Sequence, residues 1–201
     1  MIQNDSLEEL VETLRKRSPE CVNLLTAKTQ EEFEEAFIPF LAEAISHLEK
    51  NSKNFQDLGE VGLTAVLVAK LSFPGFAVTQ EGYSNGHVDL IAEVDHSIDL
   101  KKLGEAKVYD GAEYHIAGMG QLLGRYATGR EGKGFLVSYV RKKNIKEITE
   151  RLRAVLDEKR PEKQTGPCED HQLKWSLSTN HEHHSGEIVS LDHIGCNLYF
   201  G

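Results

Sequence analysis

Asp89, Glu105 and Lys107 fall on two consecutive stretches of strand-forming sequence, and their types and spacing are those of a site that could do chemistry. Within Leu103–Tyr109, Glu105 and Lys107 stand two residues apart, so strand alternation puts both on one face and Ala106 on the other. Asp89 lies in the preceding stretch, His87-Val88-Asp89-Leu90-Ile91, and a hairpin between the two brings its carboxylate beside Glu105. Two carboxylates in one half-buried place repel unless a cation lies between them. Their hard oxygens suit Mg²⁺, with Mn²⁺ as a substitute, and Mg²⁺ keeps waters for chemistry. Lys107 alone is not enough counter-charge for both. The plain alternative, an exposed cross-strand ion pair of little energetic weight, sits poorly with the flanking Leu103 and Val108.

The elements that must position these residues follow from period and punctuation. Leu7, Leu10, Val11 and Leu14 recur at helical spacing behind Ser6-x-x-Glu9, a capping-box pattern that predicts an amphipathic helix over 6–17. Thr29-x-x-Glu32 caps a second helix whose apolar face is Phe33, Phe37, Phe40, Leu41, Ala44, Ile45 and Leu48, with a kink expected at Pro39. A third helix is predicted over 55–71, apolar almost all round after Glu60 and therefore buried on more than one side. The period then becomes that of strands. Phe76–Glu81, His87–Val94 and Leu103–Tyr109 form an antiparallel meander, with Gly82, Asn85-Gly86 and the polar 95–100 stretch as turns. Asp110-x-x-Glu113 caps a helix running to about Thr128, Phe135–Val140 is a continuous apolar strand of the buried kind, and a basic helix covers about Asn144–Lys159. After the linker-like Pro161–Pro167, Leu173–Ser178 and Ile188–Ile194 read as a hairpin around Thr179–Gly186. A buried apolar strand needs cover on both faces of its sheet. The expected architecture is α/β: an α/β/α core over 55–160 with a central mixed sheet, an N-terminal helical segment (1–54) packed on it, and a C-terminal β-hairpin (161–201) extending the same domain.

Gly86-His-Val-Asp89 and Gly104-Glu105-Ala106-Lys107, with 15 residues between Asp89 and Glu105, and Gln121-Leu-Leu-Gly-Arg-Tyr126 together resemble the PD-(D/E)xK, or restriction-endonuclease-like, nuclease superfamily over roughly residues 55–140. The resemblance implies a restriction-endonuclease-like fold and a Mg²⁺-dependent nuclease in which Asp89 and Glu105 bind the metal and Lys107 positions or activates the attacking water. Glu60, in Gly59-Glu60-Val61-Gly62, occupies the place where many members carry a further glutamate, as a catalytic carboxylate and metal ligand. Val88 stands where the motif's proline would be. Some members follow the motif with Q-x-x-x-Y; here Gln121 and Tyr126 are one residue further apart, so Gln121 carries over and Tyr126 departs from the pattern. On that helix Ala117, Gln121, Gly124 and Thr128 form a stripe that would let it approach the sheet and aim the Gln121 amide at the site. The implied chemistry is metal-assisted phosphodiester hydrolysis, with the lysine orienting water or stabilising the developing charge. DNA is the expected substrate, RNA staying open, in a setting such as restriction, anti-phage defence or genome maintenance. The reading from another class is a nuclease-fold scaffold subunit with little activity alone, the N-terminal helices meeting a partner or second copy; their Phe33, Phe37 and Phe40 could pack either on the core or on another chain. The complete Asp-Glu-Lys set favours the enzyme.

Taken as a sum, the net charge of −9 argues against a nucleic-acid partner, but its distribution is uneven. Residues 101–160 hold 14 basic and 8 acidic side chains, whereas 1–60 hold 6 and 13. Arg125, Arg130, Lys133, Arg141, Lys142 and Lys143 are the candidate phosphate contacts of a local basic face, and Tyr109, Tyr114 and His115 could meet a nucleotide. Cys168-x-x-His171 and His193-x-x-Cys196 are an acceptable tetrahedral zinc set by residue type, but their spacing favours an ordinary hairpin; His181-Glu-His-His184 reads as a polar loop with adventitious metal affinity. Three widely scattered cysteines describe no disulfide framework, the longest apolar run (Val61–Ala69) falls far short of a membrane span, and the acidic start has no apolar signal region. A cytoplasmic protein without a membrane partner is expected.

Overall fold

The computed structural model, which describes residues 4–83, 87–95, 97–128, 130 and 132–201, places the apolar run Phe135–Val140 in the central strand of a seven-stranded mixed sheet. The strands are β1 (Phe76–Tyr83), β2 (His87–Val94), β3 (Ser97–Val108), β4 (Lys133–Val140), β5 (Glu169–Asp170), β6 (Leu177–Glu182) and β7 (Ile188–Asn197), in spatial order β1-β2-β3-β4-β7-β6-β5. The first three form the expected antiparallel meander; β4 then runs parallel to β3, and β7 parallel to β4. The helices are α1 (Asn4–Arg17), α2 (Pro19–Thr26), α3 (Gln30–Lys50), α4 (Glu60–Leu71), α5 (Ala112–Gln121) and α6 (Ile145–Lys159). Among the described residues no helix is long and apolar enough to cross a membrane.

Alternation along β4 builds two cores. Phe135, Val137 and Tyr139 point to one face, where they meet Phe33, Phe37, Leu41, Leu63 and Leu67 of α3 and α4. Leu136 points to the other, against Met119 of α5 and Leu152 and Leu156 of α6. The sheet is covered on both sides for this reason: neither face of β4 could be left in water. Gly104 makes room for the packing, since a Cβ there would stand 2.4 Å from the Phe135 ring. Phe33 and Phe37 are fully buried in this core, which removes them as partner contacts. Leu10 and Leu14 of α1 are exposed instead.

Several expectations are corrected. The C-terminal hairpin pairs Leu177–Glu182 with Ile188–Asn197, about four residues later than the period suggested in its first strand, and β7 sits beside β4 as an integral part of the sheet. The polar 95–100 stretch is a turn only at its start, because β3 begins at Ser97 and pairs back on β2. Gly82 pairs with Val88 inside β1, and the expected Asn85-Gly86 turn lies outside the described residues. Asn4, not Ser6, begins α1, and Gly111 (φ +116°), not Asp110, caps α5. The third helix starts at Glu60 after a short 3₁₀ turn (Ser52–Phe55) and leaves Val61 64% exposed, so it is buried on one side only. The short helix α2 was not expected at all. Thr29 caps α3 as expected, accepting from the Glu32 N–H at 3.2 Å, and the helix is assigned as one unbroken element through Pro39.

One buried charge cluster fastens α3 to the sheet. Lys102 of β3 has no exposure; its Nζ donates to Glu34 Oε2 (2.5 Å) and Asp192 Oδ2 (2.8 Å), while Ser178 donates to the other Asp192 oxygen and Gln30 to the other Glu34 oxygen. The attraction of Lys102 holds the Asp192 carboxyl below its ordinary range although burial pushes it the other way. With every oxygen satisfied, removing the cation strands two buried carboxylates. Lys102→Met is expected to lose about 3–5 kcal/mol in urea unfolding, most of it recovered when Glu34→Gln and Asp192→Asn are added. A Lys102→Met chain as stable as the wild type would contradict this role.

Candidate active site

The three motif residues meet on the α5 side of the sheet, toward the end of β3. The β2–β3 register pairs Leu90 with Gly104, so its continuation sets Asp89 opposite Glu105, and Asp89 Oδ2 accepts the Ala106 N–H at 3.3 Å. Glu105 and Lys107 share a face, as alternation required: Lys107 Nζ donates to Glu105 Oε1 at 2.7 Å and stands 3.6 Å from Asp89 Oδ2. Glu60 arrives from the first turn of α4. Its Oε2 accepts the Val108 N–H at 2.9 Å, tying the helix start to the strand end, and its Oε1 lies 3.5 Å from Lys107 Nζ. Three carboxylates from three elements therefore surround one ammonium.

The electrostatics are those of a site short of positive charge. The Glu105 side chain is 1% exposed, and burial pushes its carboxyl up to about 7; the Lys107 bond opposes this, and the charges of Asp89 and Glu60 reinforce it. Burial alone would lower the Lys107 ammonium, but its bond to Glu105 and the three surrounding carboxylates raise it instead. Glu105 Oε2 is buried with no hydrogen-bond partner. Asp89 and Glu60 are each about a third exposed, so the cluster opens to solvent on their side. Among the described residues no group of three or more His, Cys, Asp or Glu is arranged to hold a metal ion, and the point on which these three carboxylates converge is filled by Lys107 Nζ.

Helix α5 closes the site from above, through a residue other than the expected stripe. Ala117 is exposed, whereas Gly118 is buried, and a Cβ on it would stand 3.3 Å from Lys107 Cγ and 3.4 Å from Leu136 Cδ1. Gln121 ends α5, half-buried, one helical turn beyond Gly118. The extra residue between Gln121 and Tyr126 falls in a π turn (Leu122–Tyr126), closed by Ala127 N–H to Leu122 O at 3.0 Å. A π turn inserts one residue into a helix, so the longer spacing is absorbed in the backbone at that point.

The basic candidates do not form one face. Arg141 is committed internally, its guanidinium donating to the carbonyls of Leu58 and Phe55, which fixes the loop before α4. Lys142 pairs with Asp110 at 2.9 Å and lies over Tyr109, and Lys143 lies over Tyr199. Arg130 and Lys133 flank the other end of β4, roughly 23 Å away by strand rise. The Arg125 side chain lies outside the described residues. His115 is 2% exposed and cannot meet a nucleotide; Tyr114 is exposed. The zinc alternative also fails geometrically, because Cys196 packs in the α3 core while His193 points to the opposite face and bonds Thr179.

Comparison with family models, curated proteins and solved structures finds no match to this chain. The functional reading rests on the site itself.

The shifted carboxyl makes a stability prediction. Because the folded pKa of Glu105 (about 7) lies above its ordinary 4.5, its contribution is present below pH 4.5 and lost as pH rises through 7. Glu105→Gln removes that loss. It should gain on the order of 2–3 kcal/mol over the wild type at pH 8 relative to pH 4, read by urea unfolding at both. A difference independent of pH would show that Glu105 titrates normally.

Proposed function

We propose that this chain is a Mg²⁺-dependent nuclease of restriction-endonuclease-like fold, hydrolysing phosphodiester bonds of DNA at Asp89, Glu105 and Lys107, in restriction, anti-phage defence or genome maintenance in the cytoplasm. The observation that carries this reading is the convergence of Asp89, Glu105 and Glu60 on a single ammonium, with Glu105 Oε2 buried and unpartnered. The donor set is hard oxygen throughout, which fits Mg²⁺ or Mn²⁺. Held by Asp89 and Glu105 with Glu60 beside them, Mg²⁺ would supply Lewis-acid polarisation of the scissile phosphate and a bound water of lowered pKa.

The chain's own groups do the rest. Lys107 has no means of ligating a cation, so it acts on the attacking water and on charge developing at phosphorus. Its ammonium stays charged because the carboxylates hold it so. Glu60 spends one oxygen on the Val108 N–H and keeps Oε1 toward the site. The opening on the Asp89 and Glu60 side is where a phosphate backbone would enter, with Lys142 and Lys143 near the strand ends that carry the motif as contacts that add affinity without sequence information. The second reading, a scaffold subunit, draws support from the exposed Leu10 and Leu14 of α1, spaced i, i+4 as a docking helix face would be.

Lys107→Ala removes the group that acts on water and leaves the carboxylates, so cleavage should fall by about 10²–10³-fold while Mg²⁺ still binds. Asp89→Ala should lose Mg²⁺ binding and cleavage together. The assay is product formation from plasmid, linear duplex, single-stranded DNA and RNA with Mg²⁺, Mn²⁺ or EDTA, beside calorimetric metal titration. Wild-type cleavage by Lys107→Ala would end the catalytic reading, and no cleavage of any substrate by the wild type would favour the scaffold.

A further inference from the structure

Five buried polar side chains that the proposed chemistry does not use form one hydrogen-bonded line across the α5 side of the sheet. Ser138 Oγ meets His115 Nδ1 at 2.9 Å, His115 Nε2 meets His193 Nδ1 at 2.7 Å, and His193 Nε2 meets Thr179 Oγ1 at 2.7 Å. Thr179 Oγ1 then meets His181 Nε2 at 2.6 Å, and His181 Nδ1 meets the Glu162 carbonyl at 3.1 Å. All five side chains are 5% exposed or less.

The terminal carbonyl fixes the direction of every bond, because it can only accept. His181 Nδ1–H must donate to it, which leaves His181 Nε2 to accept the Thr179 hydroxyl proton. Thr179 oxygen then accepts from His193 Nε2–H, His193 Nδ1 accepts from His115 Nε2–H, and His115 Nδ1 accepts from the Ser138 hydroxyl. Each imidazole is neutral, with one donor and one acceptor used. A second proton on His193 sets its Nδ1–H against the His115 Nε2–H, donor to donor, whereas the Ser138 and Thr179 hydroxyls can turn to accept. Burial lowers all three histidines below their ordinary range, and for His193 the charges of the neighbouring histidines add to this. The Ser–His order resembles a nucleophile and its base, but Ser138 and His115 are enclosed by Ile148, Leu152, Trp175 and Leu177 and offer no room for a substrate.

The line has mechanical consequences for the candidate site. Its members come from α5, β4, β7, β6 and the segment after α6, so it holds α5 at one height over the sheet. One turn on from His115, Gly118 rests on the Lys107 stem, and Ser138 is the β4 register partner of Lys107. We propose that His115, His193 and Thr179 are positioning residues for Lys107: the directional chain sets the height of α5, and α5 sets where the ammonium stands among Asp89, Glu105 and Glu60. The inference deepens the catalytic reading of the site and rests on it only for its effect on cleavage.

Thr179, three strands along the sheet from Lys107, gives the test. Thr179→Val keeps the shape but removes the hydroxyl, and Thr179→Ser keeps the hydroxyl. In ¹⁵N-labelled protein the Lys107 ammonium protons, held by Glu105, should give a resolved slowly exchanging signal, as should those of Lys102 in its separate cluster. Thr179→Val is expected to lose or shift the Lys107 signal and retain that of Lys102, with Thr179→Ser like the wild type; His115→Gln, which shortens the reach, should act as Thr179→Val does. Cleavage with Mg²⁺ should fall about a hundredfold in kcat with KM unchanged. An unmoved Lys107 signal in both interrupted chains, or loss of both lysine signals together, overturns the proposal. If the wild type cleaves nothing, the nuclease reading fails while the ammonium signals still decide the positioning.

Discussion

One ammonium among three carboxylates is the constraint from which the rest of the site follows. With all groups ionised the cluster carries two uncompensated negative charges in a place where Glu105 is almost fully buried. Every neighbouring element meets a demand of that arrangement. The strands β2 and β3 bring Asp89 and Glu105 opposite one another, the start of α4 delivers Glu60 and uses it to stop β3, and α5 approaches closely because Gly118 has no side chain. Burial, reinforced by the charges of Asp89 and Glu60, pushes the Glu105 carboxyl up to about 7, and one of its oxygens is buried with no donor. A fold that wanted only stability would not keep such a group.

Lys102 makes the contrast on the same strand. It faces the α3 side, has two carboxylates to itself, and those are further satisfied by Ser178 and Gln30, so every carboxylate oxygen of the cluster has a donor. Lys107 faces the α5 side with three carboxylates, two of them a third exposed and one with an unmet oxygen. Alternation along β3 has thus placed a lysine with fully satisfied partners and one with under-satisfied partners back to back, five residues apart. Both are buried ion clusters, and the completeness of satisfaction separates them.

Strand alternation made the site legible in the sequence. The Glu105-x-Lys107 spacing and the meander through Asp89 needed only period 2, and Thr29 and the apolar run of β4 needed only local chemistry. What stayed hidden depends on distant partners. Nothing local says that β7 inserts beside β4, that Arg141 caps carbonyls 83 and 86 residues earlier, or that His115 and His193 meet across 78 positions. The approach of α5 through Gly118, where an Ala117 stripe was expected, follows from the cap at Gly111, which sets the phase of the helix. Charge runs misled for a related reason: 101–160 is basic in sequence, but its cations are spread to both ends of β4 and partly used inside the protein.

The central claim, that a divalent cation belongs at the Asp89, Glu105 and Lys107 cluster, is tested most directly by locating the ion on the chain. Fe²⁺ in place of Mg²⁺, with ascorbate and peroxide, cuts a polypeptide beside the bound iron, and the fragments can be mapped by mass spectrometry. The account predicts cuts near Asp89, Glu105 and Glu60 that excess Mg²⁺ suppresses and that Asp89→Ala abolishes. Cuts confined to the histidine loop at 181–184, or none that Mg²⁺ suppresses, would contradict it.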